Sequence, residues 1–276
     1  MQRQTTQEER RLYLIDALER EMPVYAAGLA PACGAPADGG VPADERGQRD
    51  LLRALMNVRP PVEPSPEFLR VQDDYLRERA RERGITDART LAPVASDPRI
   101  CLWQGDITTL ACDAIVNAAN SQMLGCWVPG HRCIDNAIHS FAGVELRLEC
   151  ARLMAGQGHE EPTGRAKVTS GWNLPCRRVI HTVGPVAQGR PTARHRMELA
   201  RCYESCLDAA AAEGLRTVAF CCISTGIFGF PAREAAGIAH RTVTGWLDAH
   251  RHASVGRVVF NVFKDSDLAI YQELLG

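Results

Sequence analysis

Residues 102–143 read LWQGDITTLACDAIVNAANSQMLGCWVPGHRCIDNAIHSFAG. An apolar run through Leu102 and Trp103 has the character of a strand and stops at the turn Gln104-Gly105-Asp106. A second apolar run, Asp113 to Val116, ends in the polar stretch Asn117-Ala118-Ala119-Asn120. A Cys-His-Cys cluster follows at Cys126, His131 and Cys133, and a helical pattern starts directly after it. Strand, polar loop, helix is the unit from which α/β sheets are built. Ligands in such sheets bind beyond the strand ends.

The same alternation continues downstream. Residues 133–155 read as one helix with Ile134, Ile138, Leu146 and Leu153 toward the core. AKVTSGWNL and RRVIHTVGP are strands, and residues 195–214 form a helix stopped by Gly214. TVAFCCIST is a buried strand, a helix with Pro231 near its first turn follows, RVVFNVF is the last strand, and residues 267–275 close the chain as a helix. The expected fold is a three-layer α/β arrangement with a mostly parallel or mixed sheet. Upstream, the first 22 residues read as a helix with Leu12, Leu14, Ile15 and Leu18 on one stripe, closed by Pro23. Residues 26–48, rich in Gly, Pro and Ala, read as a long loop. A helix near residues 50–58 ends at Pro60-Pro61. Another, Glu67 to Arg83, buries Phe68, Val71, Tyr75, Leu76 and Ala80 and stops at Gly84. Residues 1–90 hold too few apolar side chains to stand alone and read as a helical extension packed on residues 91–276.

Composition sets the broad class. The chain has 276 residues, 45% hydrophobic, with a net charge of -1, so no basic surface calls for nucleic acid or anionic membrane. No stretch has the form of a signal peptide or a membrane span, which makes a cytoplasmic location the expectation. Eleven cysteines, an odd number, argue against a fully paired disulfide framework. Cys101, Cys112, Cys150, Cys202, Cys206, Cys221 and Cys222 sit in apolar or helical patterns, as small hydrophobes do.

Cys126, His131 and Cys133 lie within eight consecutive residues, and Gly125, Pro129 and Gly130 allow the chain to curl around one point. Two thiolates and an imidazole suit zinc and leave one tetrahedral position for water or a substrate oxygen. The competing readings are a structural ion with a fourth ligand from His139, His181 or Cys150, and no metal at all. Asn117 and Asn120 can bond sugar hydroxyls or simply hold their own loop. Asp106 can accept from an exocyclic amine or cap the turn after it. Asp135, at the helix start, is either a capping acid or a carboxylate beside the metal that binds a ribose hydroxyl or takes a proton from water. Ser224 to Pro231, STGIFGFP, joins a strand to a helix, and Gly226 and Gly229 let backbone N–H groups turn inward onto a diphosphate. Phe228 can pack on a sugar. Phe260 and Phe263 form either an aromatic wall for a base or plain core. His181 reads as packing.

In order along the chain, QGDIT, DAIVNAAN, IDNAIHSFAG, PTGRAKVTSGWNLP, VIHTVGP and STGIFGFP resemble a macrodomain of the kind that removes mono-ADP-ribose from proteins, over about Leu91 to Gly276. Most macrodomains carry a run of glycines where this chain has MLGCWVPGHRC. That replacement resembles the zinc-dependent, sirtuin-linked microbial class. The resemblance implies a three-layer α/β/α macrodomain with a mixed central sheet and an N-terminal helical extension. It implies a hydrolase acting on ADP-ribosylated acidic side chains, with one Zn(2+) on Cys126, His131 and Cys133. Asp106 would bind the adenine amino group, Ile107 would pack on the base, and Asn120 would contact the distal ribose. Asp135 would be the acidic residue of the helix start, with Asp135 and Asn120 the catalytic pair. Ser224, Thr225, Gly226, Ile227, Phe228 and Gly229 would wrap the diphosphate and distal ribose, with Phe263 beside the base. The implied partners are a mono-ADP-ribosylated protein, such as a lipoyl-carrier protein related to glycine cleavage, and a sirtuin-type ADP-ribosyltransferase, with a monomer favoured. A reader that binds ADP-ribose without cleaving it, a hydrolase of O-acetyl-ADP-ribose and a structural zinc module are the alternatives.

Overall fold

The computed structural model describes residues 5–36 and 40–276. Helix α1 (Gln7–Glu21) opens the described chain with a capping box between Thr6 and Glu9; the expected helical start at residues 1–4 lies outside the described residues. Pro23 does not merely close α1. It opens α2 (Pro23–Leu29), occupying a first-turn position where its missing N–H costs nothing. The stretch read as a loop therefore holds part of α2, a 3-10 turn at Pro31–Cys33 and the first turn of α3 (Glu45–Val58), capped by Asp44. Alanine carries α2 despite the neighbouring Gly and Pro. Helix α4 (Pro66–Glu82) is capped by Ser65, and Gly84 follows it at φ 83°. Leu14, Ile15, Leu18, Leu51, Leu55, Phe68, Tyr75 and Leu76 from α1, α3 and α4 form one apolar cluster, which Val144 joins.

Nine short to medium strands follow: β1 (Thr86–Asp87), β2 (Pro93–Val94), β3 (Asp97–Gln104), β4 (Leu110–Ala111), β5 (Ala114–Ala119), β6 (Ala166–Ser170), β7 (Arg178–Val183), β8 (Thr217–Phe220) and β9 (Arg257–Val262). Seven make a sheet in the order β2-β3-β9-β8-β5-β7-β6. The five central strands are parallel, while β2 and β6 pair antiparallel at the edges, so the sheet is mixed. Successive side chains alternate across it. Phe220 and Phe260 meet Tyr203 and Tyr271, on α7 (Ala193–Ala212) and α9 (Asp265–Leu275), with α8 (Ala232–Ala249) in the same layer. Asn117, one residue out of phase with that face, points to the opposite layer and meets Asp135. That layer is α5 (Ile134–Ala142) and α6 (Val144–Gln157). This is the expected three-layer α/β/α architecture with a mixed sheet, and the N-terminal helices α3 and α4 pack outside α5.

Residues 133–155 are not one helix. Gly143 adopts φ 103°, ψ 175°, a region that side chains other than glycine's rarely enter. The break re-aims α6, which is why Leu153 is 40% exposed instead of buried. The interrupted helix end is repaired from α4. Fully buried Gln72 accepts from the Val144 N–H (2.9 Å) and donates to Glu145 Oε2 (2.7 Å). Each such bond contributes about 1 kcal/mol. All eleven cysteines are free thiols. Among the described residues no helix is long and apolar enough to cross a membrane.

Candidate functional site

Because β3, β9, β8 and β5 run parallel, the chain leaves all four at one edge. Asp106, Asn120, Ser224 and Phe263 follow those strand ends. Asp106 is held on both oxygens: Thr108 donates from N (3.0 Å) and Oγ1 (2.6 Å) to one, Arg83 Nη1 (2.8 Å) to the other. The Arg83–Asp106 pair is partly exposed and contributes about 1 kcal/mol at most, but it fixes the direction of the carboxylate. Asn261 Nδ2 donates to the Gly105 carbonyl (2.9 Å) and Gly105 N–H to that of Val262 (3.0 Å), which sets Phe263 next to the Asp106 turn. Phe263 is 74% exposed, a ring with a free face. Phe260 and Ile107 are buried in the core instead, Phe260 packing on Tyr271 with ring centres 5.1 Å apart.

The Ser224–Gly229 loop folds back on itself. Phe230 N–H donates to Ser224 O (2.9 Å) and Gly229 N–H to Gly226 O (3.0 Å). The Phe228 carbonyl accepts from Ala187 N–H (2.8 Å) and Gln188 N–H (3.1 Å). Among the described residues no acceptor meets the N–H groups of Gly226, Ile227 or Phe228. Ser224 sits at φ 65°, buried, and its hydroxyl has no partner among the described residues. Strained backbone with unmet donors in front of a helix start is suited to an anion. Ile227 is exposed and Phe228 half-buried, so the loop offers apolar contact at its rim.

Asp135 lies at the centre. Its carboxylate accepts from Asn117 Nδ2 (2.8 Å) and Asn120 Nδ2 (3.4 Å), which brings both asparagines of the NAAN run onto one acid. Asn120 also donates to Gly125 O and accepts from the Gln122 N–H, so it holds its loop as well. Asp135 does not cap the helix, since the Cys133 side chain holds that position. Burial pushes the Asp135 carboxyl up to about 6, against the opposing effect of the Asn117 bond and the Arg147 charge. Behind it, His139, Cys150 and His181 form a buried group of their own; they are not brought in as ligands of the Cys-His-Cys cluster. His139 Nε2 lies 3.6 Å from Asp135 Oδ1. His181 is bonded to Asn117 (3.1 Å) and Thr169 (2.9 Å), as a packing residue would be.

Burial holds both imidazoles neutral, His181 down to about 3 and His139 well below 6.5. Each contributes stability that is present above pH 6.5, where the unfolded imidazole is also neutral, and lost as pH falls toward the folded value. Asp135 has the opposite sign: its contribution is full below 3.8 and lost as pH rises through about 6. Acidifying the metal-free protein from pH 6.5 to 5 loses two histidine contributions and regains one carboxyl contribution. Two depressed imidazoles outweigh one raised carboxyl, so the net is a loss of stability. The expected result is a lower melting temperature at pH 5 than at pH 6.5. A melting temperature flat across that window would contradict this reading of the cluster.

Cys126 Sγ, His131 and Cys133 Sγ place their ligand atoms within 4.8 Å of one another, with Cys126 Sγ 3.5 Å from His131 Nδ1. Burial, with the Cys126 thiol beside it, pushes the Cys133 thiol up to about 12, although the Asn136 N–H favours the thiolate. Two soft sulfurs and one imidazole, half-buried and convergent, fit a zinc-type cation, which would offset that cost by stabilising the thiolates. Gly125 makes the curl possible: at φ 79° its backbone rides on His139, and an added Cβ would lie 2.8 Å from the ring. Arg53, Asn57 and Asn136 also surround this loop, and sequence reasoning overlooked all three. So too Arg147, buried, which donates to Leu124 O (2.7 Å) and Arg59 O (2.7 Å) and sits 4.0 Å from the Trp127 ring.

Comparison with known proteins bears on this geometry. The Macro domain family matches residues 116–239. A protein-ADP-ribose hydrolase of Treponema medium is 53% identical over 272 residues, covering 98% of this chain and 99% of its own. A probable bifunctional ADP-ribose hydrolase/ADP-ribosyltransferase of Fusarium oxysporum f. sp. cubense is 46% identical over 242 residues, covering 82% of this chain and 40% of its own. The crystal structure of the Trypanosoma brucei macrodomain in complex with ADP-ribose superposes with a TM-score of 0.63 at 32% identity, covering 81% of this chain and 95% of its own.

Proposed function

The chain belongs to the macrodomain family of protein-ADP-ribose hydrolases, and from that premise we propose that it removes mono-ADP-ribose from acidic side chains of modified proteins, with one zinc ion on Cys126, His131 and Cys133. The observation that carries the reading is the helix start at residues 133–135. It sets a Cys-His-Cys donor cluster two residues from a buried acid that both NAAN asparagines grip. In this reading residues 1–90 are a helical extension and 91–276 the hydrolase domain.

Asp106 accepts from the adenine amino group beside Phe263, and its fixed direction favours adenine over a ring without that donor. Ser224 to Gly229 bind the diphosphate through unmet N–H groups and the free Ser224 hydroxyl. Binding energy from these two anchors places the distal ribose at Asn120 and Asp135. When bound, zinc supplies a Lewis-acid centre for a substrate oxygen or for water. Asp135 holds the attacking water and takes its proton, and Asn120 orients the acid. One water is consumed; ADP-ribose and the free side-chain carboxyl are released. The substrate proposed from the resemblance is a lipoyl-carrier protein of glycine cleavage, modified in the cytoplasm by a sirtuin-type transferase. The Fusarium relative, named as joining hydrolase and ADP-ribosyltransferase in one protein, supports a pairing with such an enzyme.

The test is a time course of ADP-ribose released from a protein carrying aspartate- or glutamate-linked mono-ADP-ribose, using zinc-loaded and chelated protein. The expected result is many turnovers with zinc and few without. Binding of ADP-ribose with no release in either form would instead identify a reader.

A further inference from the structure

We propose that α3 belongs to the metal centre, with Arg53 and Asn57 as positioning residues that hold the Cys126–Cys133 loop in ligating geometry. The proposal rests on the zinc reading above. Residues 53 and 57 stand one helical turn apart, so both side chains leave α3 on the same face. That face meets the loop. Asn57, 1% exposed, accepts from the Gly130 N–H at Oδ1 (3.0 Å) and donates to Ser140 Oγ at Nδ2 (2.8 Å). Arg53 donates from Nη2 to the His131 carbonyl (3.3 Å) and from Nη2 and Nε to Asn136 Oδ1 (2.9 and 3.2 Å). Asn136 passes the hold on: its Nδ2 donates to the Val128 carbonyl (3.0 Å) and its N–H to Cys133 Sγ (3.4 Å).

Three consecutive-region backbone groups, Val128 O, Gly130 N and His131 O, are thus fixed by two α3 side chains and the amide one of them orients. They lie in the segment that sets the distance from Cys126 to His131. Gly130, at φ 65°, gives the loop no stiffness of its own. The Arg53 guanidinium hydrogen-bonds to neutral oxygens of His131 and Asn136, and Asp106 and Asp50 act on its charge only through space, against the cost of its burial. What a guanidinium offers here is a rigid fork that spans two acceptors at once, which an ammonium lacks. Partners that orient ligands in this way typically account for a 10–100-fold difference in metal affinity.

The experiment measures zinc affinity by chelator competition and the visible spectrum of the cobalt-loaded protein, for wild type, Asn57→Leu and Arg53→Lys. ADP-ribose binding is measured alongside as a check that the fold persists. The expected result is zinc binding weaker by about 10–100-fold in each variant, an altered cobalt band pattern and retained ADP-ribose binding. Wild-type zinc affinity with an unchanged cobalt spectrum in Arg53→Lys would overturn the proposal, and that variant decides if Asn57→Leu fails to fold. Wild-type protein that takes up no zinc would overturn the metal reading itself, before either variant is made.

Discussion

Asparagine in place of Asp135 slows release of ADP-ribose by about 10²–10⁴-fold, with ADP-ribose binding little changed. In the proposed mechanism the acid takes the proton from water, and the amide cannot. The substitution nearly preserves shape, and the new carbonyl still faces Asn117 Nδ2 where Asp135 Oδ1 lay 2.8 Å away. Stability moves the other way. A carboxyl held up at about 6 against an unfolded 3.8 is one whose ionised form folding disfavours at neutral pH. By linkage that penalty reaches at most about 3 kcal/mol at pH 7, and loss of the Asn120 hydrogen bond to the other oxygen returns about 1 kcal/mol of it. The metal-free variant should therefore melt no lower than wild type. Single-turnover release and a thermal melt at pH 7 check both halves. Release at the wild-type rate removes Asp135 from the chemistry, and a loss of both stability and activity makes it a structural residue.

Alanine at Cys126 abolishes stoichiometric zinc and reduces turnover to that of chelated wild type. Loss of a ligand weakens binding beyond the roughly 10–100-fold attached to a supporting contact, because two donors leave the cation half open to water. The loop is pinned by its backbone at Gly130 and His131, so its path survives the substitution. The adenine and diphosphate contacts proposed above lie on other loops, so ADP-ribose binding should persist. Metal content by elemental analysis, with ADP-ribose affinity by calorimetry, gives the result directly. One zinc per chain retained in Cys126→Ala would refute the assignment of that thiol.

Strands β3, β5, β7, β8 and β9 were legible because buried parallel strands are short apolar runs between turn residues. The loops after Gln104, Ala119 and Ile223 stood out because they put Asp, Asn, Cys, His and Gly where apolar residues would continue a strand. The break at Gly143 was hidden because helical periodicity continues on both sides of it, and only the backbone angle shows the change of direction. Helix α2 was masked by its Gly and Pro neighbours. Arg53 and Asn57 were invisible for a different reason. On an amphipathic helix a polar residue among leucines reads as the wet face, and nothing local says that a second layer will cover it. The same holds for Gln72 and Arg83, whose partners Val144 and Asp106 lie 72 and 23 residues further along the chain. The buried pairing of Asn117 with Asp135 needed the sheet's facing before it could be seen.

The hold of α3 on the metal loop also sets an order of events during synthesis. Arg53 and Asn57 find Asn136 and Ser140 83 residues later in the chain. Chains grow from the N-terminus, so α1, α3 and α4 leave the ribosome before Val144, which joins their apolar cluster, and before α5, which covers the Arg53 and Asn57 face. That face stays wet until α5 emerges, and α5 is placed only once the parallel strands, which pair non-locally and slowly, have come together. The loop that gathers Cys126, His131 and Cys133 is accordingly among the last parts to take shape. Until α5 docks, the Gly130 N–H and the His131 carbonyl have no complete α3 face to hold them, and the three ligand side chains lie on a loop without that support.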